Sequence, residues 1–98
     1  MKTNELTGSR LDYWVALAEG YTSGAANYRP STDWQQAGEL LEKYDSYGVT
    51  NMGTGITHHV ITVIHSGDKT GIGEGPTACM SICRAVVALV YDEEVDDG

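Results

Sequence analysis

Two polar stretches of the chain combine residue types that can bind an anion. The first, "YRPSTDWQQ" at residues 28–36, places an arginine, two hydroxyls and an indole around a predicted helix start. The second, "TGIGEGPT" at residues 70–77, leads into another predicted helix with three glycines and a threonine. A helix N-terminus presents unpaired backbone N–H groups and the positive end of the helix dipole, which favour phosphate and other anions. Both stretches are therefore candidate walls of a binding site.

The candidate ligand-binding residues come from these stretches and from one arginine on the last predicted helix. Arg29 and Arg84 could pair with a negative charge, and Tyr28 or Trp34 could stack on a base. The full set is Tyr28, Arg29, Ser31, Thr32, Trp34, Gly75, Thr77 and Arg84. Plainer roles compete with these: we expect Trp34 in the core, Arg84 in an internal ion pair, and the hydroxyls and Asp33 at helix starts.

Metal binding and catalysis have weaker signals in the sequence. Cys79 and Cys83 are four residues apart on an apolar helix, and His58, His59 and His65 lie on the strand predicted before it. Zinc sites usually take paired ligands from tight turns, so we interpret the cysteines as core residues and the histidines as edge or partly exposed residues. Neither a nucleophile elbow nor a carboxylate pair can be singled out. We therefore expect a non-enzymatic protein without metal or cofactor, with a hydrolytic or nucleotide-modifying enzyme as the less favoured alternative.

The overall charge is acidic and bears on the class of partner. The 98 residues include 6 Lys+Arg and 14 Asp+Glu, for a net charge of −8. Such a field repels the phosphate backbone, which disfavours generic binding of DNA or RNA. Five of the acids crowd residues 92–98, which we interpret as an acidic tail after a single domain over residues 1–91.

Hydropathy predicts a cytoplasmic protein. No apolar run approaches the ~20 residues that a membrane helix needs. The start, "MKTNELTGSR", lacks the apolar segment of a secretory signal, so we expect the chain to stay in the cytoplasm.

The apolar periodicity predicts three helices. The first follows Thr7, carries apolar residues at i, i+3, i+4 and i+7, and stops at Gly20. The second begins at Ser31 or Thr32, and the third is capped by Thr77 and is apolar around most of its circumference.

Between the second and third helices the period changes to that of strands. "YGVTNM" and "ITHHVITVIH" predict an antiparallel hairpin, and residues 60–64, apolar on both faces, should be central or covered by a helix. Residues 66–76 are predicted as a glycine-rich loop, although a third strand could lie within 20–30 or 66–73. The fold class is therefore α+β, with a small antiparallel sheet of two or three strands packed against about three helices in the order α-α-β-β-α.

Three motifs, in order along the chain, resemble the NinX-like family of small proteins encoded by tailed phages and prophages. They are "MKTNELTGSRLDYWVALAEG", "YRPSTDWQQAGELLEKY" and "GPTACMSICRAVVALVYDEEV". The family pattern runs K-T-x-x-L-T-G-x-x-L-D-x-x-V-A-x-A-E-G, then Y-x-P-S-T-D-W, then G-P-T-P before a final helix with an acidic finish. This chain departs from it at Ala78, where the family often has a second proline, and at Cys79 and Cys83, which are commonly plain apolar residues. Residues 45–70 do not match.

The resemblance implies a phage accessory protein acting in the host cytoplasm rather than a particular reaction. If the fold brings the two polar helix starts together, Arg29, Thr32 and Thr77 would form an anion pocket flanked by Tyr28 and Trp34. We therefore expect a binder that antagonises a host defence process by sequestering a small anionic nucleotide, with a homo-oligomer interface helping to enclose it. The alternative is a protein–protein inhibitor that engages a host enzyme through its acidic surface and tail.

Overall fold

The computed structural model describes residues 2–20, 28–52 and 59–91. Its helices and strands are α1 Gly8–Ala18, α2 Trp34–Leu41, β1 Ser46–Asn51, β2 Val60–Ser66, β3 Lys69–Gly75 and α3 Ala78–Tyr91, preceded by a 3-10 turn at Thr3–Glu5. This order confirms the predicted α+β class. The additional strand, β3, overlaps residues 66–73, one of the two segments in which the sequence allowed a third strand. The predicted acidic tail, 92–98, and His58 lie outside the described residues.

The sheet is antiparallel, with β2 between β1 and β3. Alternate residues of β2, namely Val60, Thr62 and Ile64, are buried, which confirms that this segment is central and faces the core. A two-residue turn joins β2 to β3, and its first residue, Gly67, has φ +62°. A positive φ suits glycine because it has no Cβ to clash with the backbone.

The third strand was predicted as a loop because of its glycines, and the structure gives those glycines a packing role. Gly71 and Gly73 lie on the face of β3 that packs on α3. A Cβ at Gly71 would lie 2.8 Å from the backbone nitrogen of Leu89, and one at Gly73 would lie 2.8 Å from the carbonyl carbon of Arg84. No real Cβ occupies such a position, so glycine at these positions lets helix and strand backbones meet.

The helices form two further layers on one face of the sheet. α3 lies directly against β2 and β3, and α1 and α2 pack on α3. This arrangement buries α3 on almost all sides, as its apolar circumference predicts. The buried core consists of Leu6, Leu11, Val15, Ala37, Leu40, Leu41, Ile64, Ile82, Cys83, Ala85, Val86, Val87 and Leu89. No helix among the described residues has the length and apolar character needed to cross a bilayer.

The three helices of the described chain run in the same direction. Lys43, just after α2, forms an ion pair with Glu19, just after α1, with 2.9 Å between Nζ and Oε1. At the same end, Ala18 of α1 lines a groove together with Leu89 and Val90 of α3. The opposite end therefore holds all three helix starts, at Gly8, Trp34 and Ala78. We call it the helix-start end.

Candidate functional site

The turn that precedes α2 is held against α1 by hydrogen bonds. The carbonyl of Arg29 accepts the N–H groups of Thr32 and Asp33 at 3.1 and 2.9 Å. The N–H of Ser31 donates to Oδ1 of Asp12 at 2.8 Å, and the Ser31 side chain, 3% exposed, lies 3.5 Å from the carbonyl oxygen of Gly8. Ser31 is therefore a structural residue that joins the starts of α1 and α2, and it does not face solvent.

The cap of α2 is Asp33 and the helix begins at Trp34, whereas the sequence predicted a start at Ser31 or Thr32. The carboxylate of Asp33 accepts the N–H groups of Gln35 and Gln36 at 3.0 and 3.4 Å. The backbone of Asp33 is extended, with φ −107° and ψ 109°, so the helix begins at Trp34. Two of the first-turn N–H groups of α2 are consequently bonded within the chain and do not await an external anion.

Trp34 is 59% exposed, so the expectation that it belongs to the core was wrong. Helical side chains lean toward the N-terminus of their helix. A side chain at the first position, such as Trp34, therefore leans past the packed turns, whereas Ala37, Leu40 and Leu41 form the buried face of α2. The result is a large aromatic surface open to solvent at the helix-start end.

The start of α3 combines a strand end with an exposed cap. Gly75 is the last residue of β3, pairs with Val60 and is buried. The glycine-rich stretch is therefore part of a hydrogen-bonded strand and does not form a loop that could surround an anion. Thr77 is exposed, and its Oγ1 accepts the N–H of Met80 at 3.1 Å, which confirms its predicted capping role.

Arg84 is engaged inside the protein, and its partners differ from the predicted carboxylate. Its Nε and Nη2 donate to the carbonyl of Leu6 at 3.1 and 2.9 Å, and its Nη1 donates to the carbonyl of Glu74 at 2.6 Å. Only 7% of the residue is exposed, and this burial lowers the pKa of the guanidinium. Arg84 therefore ties the N-terminal segment to α3 and β3 and cannot reach a ligand.

The exposed candidate residues lie at the starts of two helices. Arg29, Thr32, Trp34 and Thr77 are exposed around the starts of α2 and α3, while Tyr28 is half-buried against the core. Within residues 2–20, 28–52 and 59–91, the guanidinium of Arg29 makes no ion pair. These side chains offer a cation, two hydroxyls and a stacking surface to a ligand.

Electrostatics at the helix-start end combine opposing contributions. Three aligned helix dipoles place partial positive charge there, on the order of half an elementary charge for each helix. Asp12 and Asp33 supply negative charge at the same end, but both carboxylates accept backbone N–H groups. The N–H groups of Trp34 and Ala78 have no hydrogen-bond partner among the described residues. They remain available as donors to an anion.

Neither thiol is expected to be reactive in the folded protein. Burial raises the pKa of Cys79, and the nearby charge of Asp33 raises it further. Burial is also the main cause of the raised pKa of Cys83, which is completely buried. The thiolate is the nucleophilic form, so neither cysteine is poised for covalent chemistry at neutral pH.

Slow alkylation of both thiols is therefore expected in the folded protein. At neutral pH, iodoacetamide should label Cys79 and Cys83 at least about tenfold more slowly than it does in denaturant, because a raised pKa and burial both reduce reactive thiolate. Labelling of Cys79, the partly buried thiol, should accelerate as the pH rises. Peptide mass spectrometry would follow each site, and rapid labelling of Cys83 without denaturant would contradict its burial.

The histidines do not assemble with the cysteines. His59, just before β2, places its Nε2 3.3 Å from Oε2 of Glu74, and His65 of β2 places its Nδ1 3.0 Å from the Thr70 hydroxyl. In the part of the chain that the structure describes, no three His, Cys, Asp or Glu side chains are close enough together to hold a metal.

A groove at the opposite end of the helices was not anticipated from the sequence. Its volume is about 360 Å³, and it is lined by Ala18, Glu19, Lys43, Tyr44, Ser66, Lys69, Leu89 and Val90. Burial and the charge of Glu19 raise the pKa of Tyr44 to about 12. Helix C-termini carry partial negative charge, and Glu19 already neutralises Lys43, so this end suits an anion less well. The residues that line the groove come from five separate segments of the chain, so no local sequence motif marks it.

A scan against models of protein families finds no match to this chain, and a search of curated proteins finds no relative. The likeness to the NinX-like family thus rests on the three motifs described above.

Proposed function

We propose that this protein is a non-enzymatic binding protein that holds a small anionic, nucleotide-like ligand at the helix-start end. The observation that carries the proposal is the exposed Trp34, which stands beside exposed Arg29 and Thr32 where three parallel helices begin. An indole stacks on a base, and a guanidinium with helix N–H donors matches a phosphate.

The proposed biological role is antagonism of a host defence process. Its support is the motif resemblance, which points to a phage accessory protein in the host cytoplasm. Sequestration of a nucleotide signal requires only tight binding, and the helix-start end supplies binding groups of that kind. The role rests on the binding proposal and is tested after it.

Trp34→Ala is expected to weaken nucleotide binding by about 5- to 150-fold, the equivalent of about 1–3 kcal/mol for one stacked base. The fold should be unaffected, because an exposed side chain contributes within about 0.5 kcal/mol to stability. Titration calorimetry with a panel of cyclic nucleotides and ADP-ribose derivatives would measure affinity, after native mass spectrometry has shown which member binds. Tyr13→Ala, which removes an exposed aromatic from α1, is the matched control.

Arg29→Gln and Lys69→Gln distinguish the two ends of the molecule. Each removes one exposed cation, the first at the helix-start end and the second in the groove at the helix C-termini. Binding should fall with Arg29→Gln and stay unchanged with Lys69→Gln. The reverse result would move the site to the groove. No binding of any panel member to the unaltered protein would reject the nucleotide proposal and favour a protein target.

A further inference from the structure

We infer that the groove at the helix C-termini binds a free amino acid with an apolar side chain. Glu19 holds the ammonium of this ligand, Lys69 its carboxylate and Val90 its side chain, and all three residues line the groove. An amino acid is a zwitterion without net charge, so the field that makes this end less suitable for an anion does not oppose it. The site is separate from the helix-start end, and the inference does not rest on the proposed function.

The carboxylate of Glu19 has one oxygen without a donor. The side chain is only 10% exposed, and its Oε1 accepts from the ammonium of Lys43 at 2.9 Å. Within residues 2–20, 28–52 and 59–91, Oε2 accepts no hydrogen bond, although it is not sealed from solvent. Polar groups that are largely removed from water are normally hydrogen-bonded, because leaving them unpaired is costly. A ligand ammonium in the groove supplies the missing donor.

The end of α1 adds to the attraction for a cation at Glu19. The helix ends at Ala18, one residue before Glu19, and Ala18 also lines the groove. A helix C-terminus carries negative charge on the order of half an elementary charge, from carbonyls without helical partners. Lys43 neutralises Glu19 but leaves this helix charge in place. The potential beside Oε2 therefore favours an ammonium.

Lys69 and two hydroxyls supply donors for the ligand carboxylate. In the part of the chain that the structure describes, the ammonium of Lys69 makes no ion pair, and the hydroxyls of Tyr44 and Ser66 make no hydrogen bond. Asp45, before β1, accepts the N–H of Gly67 at 2.8 Å instead of pairing with Lys69. The raised pKa of Tyr44, about 12, keeps its hydroxyl protonated and able to donate at neutral pH. All three donors line the same groove as Glu19.

The apolar wall and the size of the groove favour an aliphatic or aromatic side chain on the ligand. Leu89 and Val90 line the groove near the end of α3, and Val90 is 41% exposed. An apolar side chain that covers Val90 removes this surface from water. The volume of about 360 Å³ is near the lower end of the roughly 300–1,000 Å³ found for small-molecule sites, so it suits a small ligand.

Titration of the unaltered protein, followed by amide NMR signals, tests the site. Leucine, valine and phenylalanine are the probes, and at least one of them at millimolar concentration should shift the signals of Tyr44, Ser66 and Lys69. Isocaproate is leucine without its ammonium, and isoamylamine is leucine without its carboxylate. Each should bind at least about tenfold more weakly than leucine, because each lacks one charged hydrogen-bonding group.

Two results of this titration would overturn the inference. The first is the absence of any shift at the groove with all three amino acids. The second is binding of isocaproate or isoamylamine as tight as that of leucine, which would show a site for a single charge. Neither result depends on a variant that folds.

Glu19→Gln and Lys69→Gln test the two charged ends of the ligand separately. Each should weaken binding of the amino acid by about tenfold or more, because a charge-assisted hydrogen bond is lost or becomes neutral. Glu39→Gln and Lys2→Gln remove the same charges from exposed positions that do not line the groove, and they should leave the affinity unchanged. Unchanged affinity in a folded Glu19→Gln or Lys69→Gln variant would contradict the assignment.

Discussion

Gly73→Ala is expected to lower the free energy of unfolding by about 3 kcal/mol or more, at or above the upper end of overpacking effects. The new Cβ would lie closer than 3.0 Å to backbone atoms of Ser81, Arg84 and Ala85. Backbone atoms cannot rotate out of the way, so α3 would have to move off the sheet. Since α3 also carries α1 and α2, the displacement would loosen the whole core.

Urea and thermal denaturation followed by circular dichroism would measure this loss. A domain of this size loses about 4–8 °C in melting temperature for each kcal/mol, so Gly73→Ala should melt at least about 12 °C lower or fail to fold. Gly48→Ala is the control, because it also lies in a strand but a Cβ there would meet nothing within 4 Å. If the two variants melted alike, the close contact between α3 and β3 would be wrong.

Arg84→Met is expected to have the second largest effect, a loss of about 3 kcal/mol. The substitution keeps the apolar stem but leaves the carbonyls of Leu6 and Glu74 without their donor, and an unsatisfied buried group costs about 1–3 kcal/mol. Burial lowers the pKa of Arg84, and its three hydrogen bonds to backbone carbonyls offset part of the cost of keeping the charge away from solvent. Arg84→Lys should recover only part of the lost stability, because an ammonium group lacks the planar, forked set of N–H donors of a guanidinium.

The location of the defect separates this prediction from general destabilisation. The N-terminal turn should detach first, so the N–H of Leu6, which donates to Thr3 at 3.1 Å, should exchange much faster in Arg84→Met. Arg29→Met removes the same charge from an exposed position and should change the free energy of unfolding by less than about 0.5 kcal/mol. Equal losses in the two variants would contradict the role assigned to Arg84.

Parts of the candidate site could be predicted because they depend on nearby residues. Thr77 caps a helix whose first turn immediately follows it, and Gly20 ends α1 with φ +87°, as expected after the last apolar residue of the stripe. Trp34 was misplaced for a related reason. Its spacing fits the apolar stripe of α2, but Trp34 is the first residue of the helix, directly after the extended cap Asp33, and it is exposed there.

By itself, the sequence determined the α+β class, the central position of β2 and the apolar faces of the helices, because each follows from local periodicity. Only the tertiary structure decided what those faces meet. The glycines of β3 alternate with a period of two, yet their need for glycine comes from α3 at backbone distance. Arg84 finds its partner in Leu6, 78 residues away along the chain. The common direction of the helices, which creates the helix-start end, likewise comes from packing on both sides of α3, and periodicity carries no information about such distant contacts.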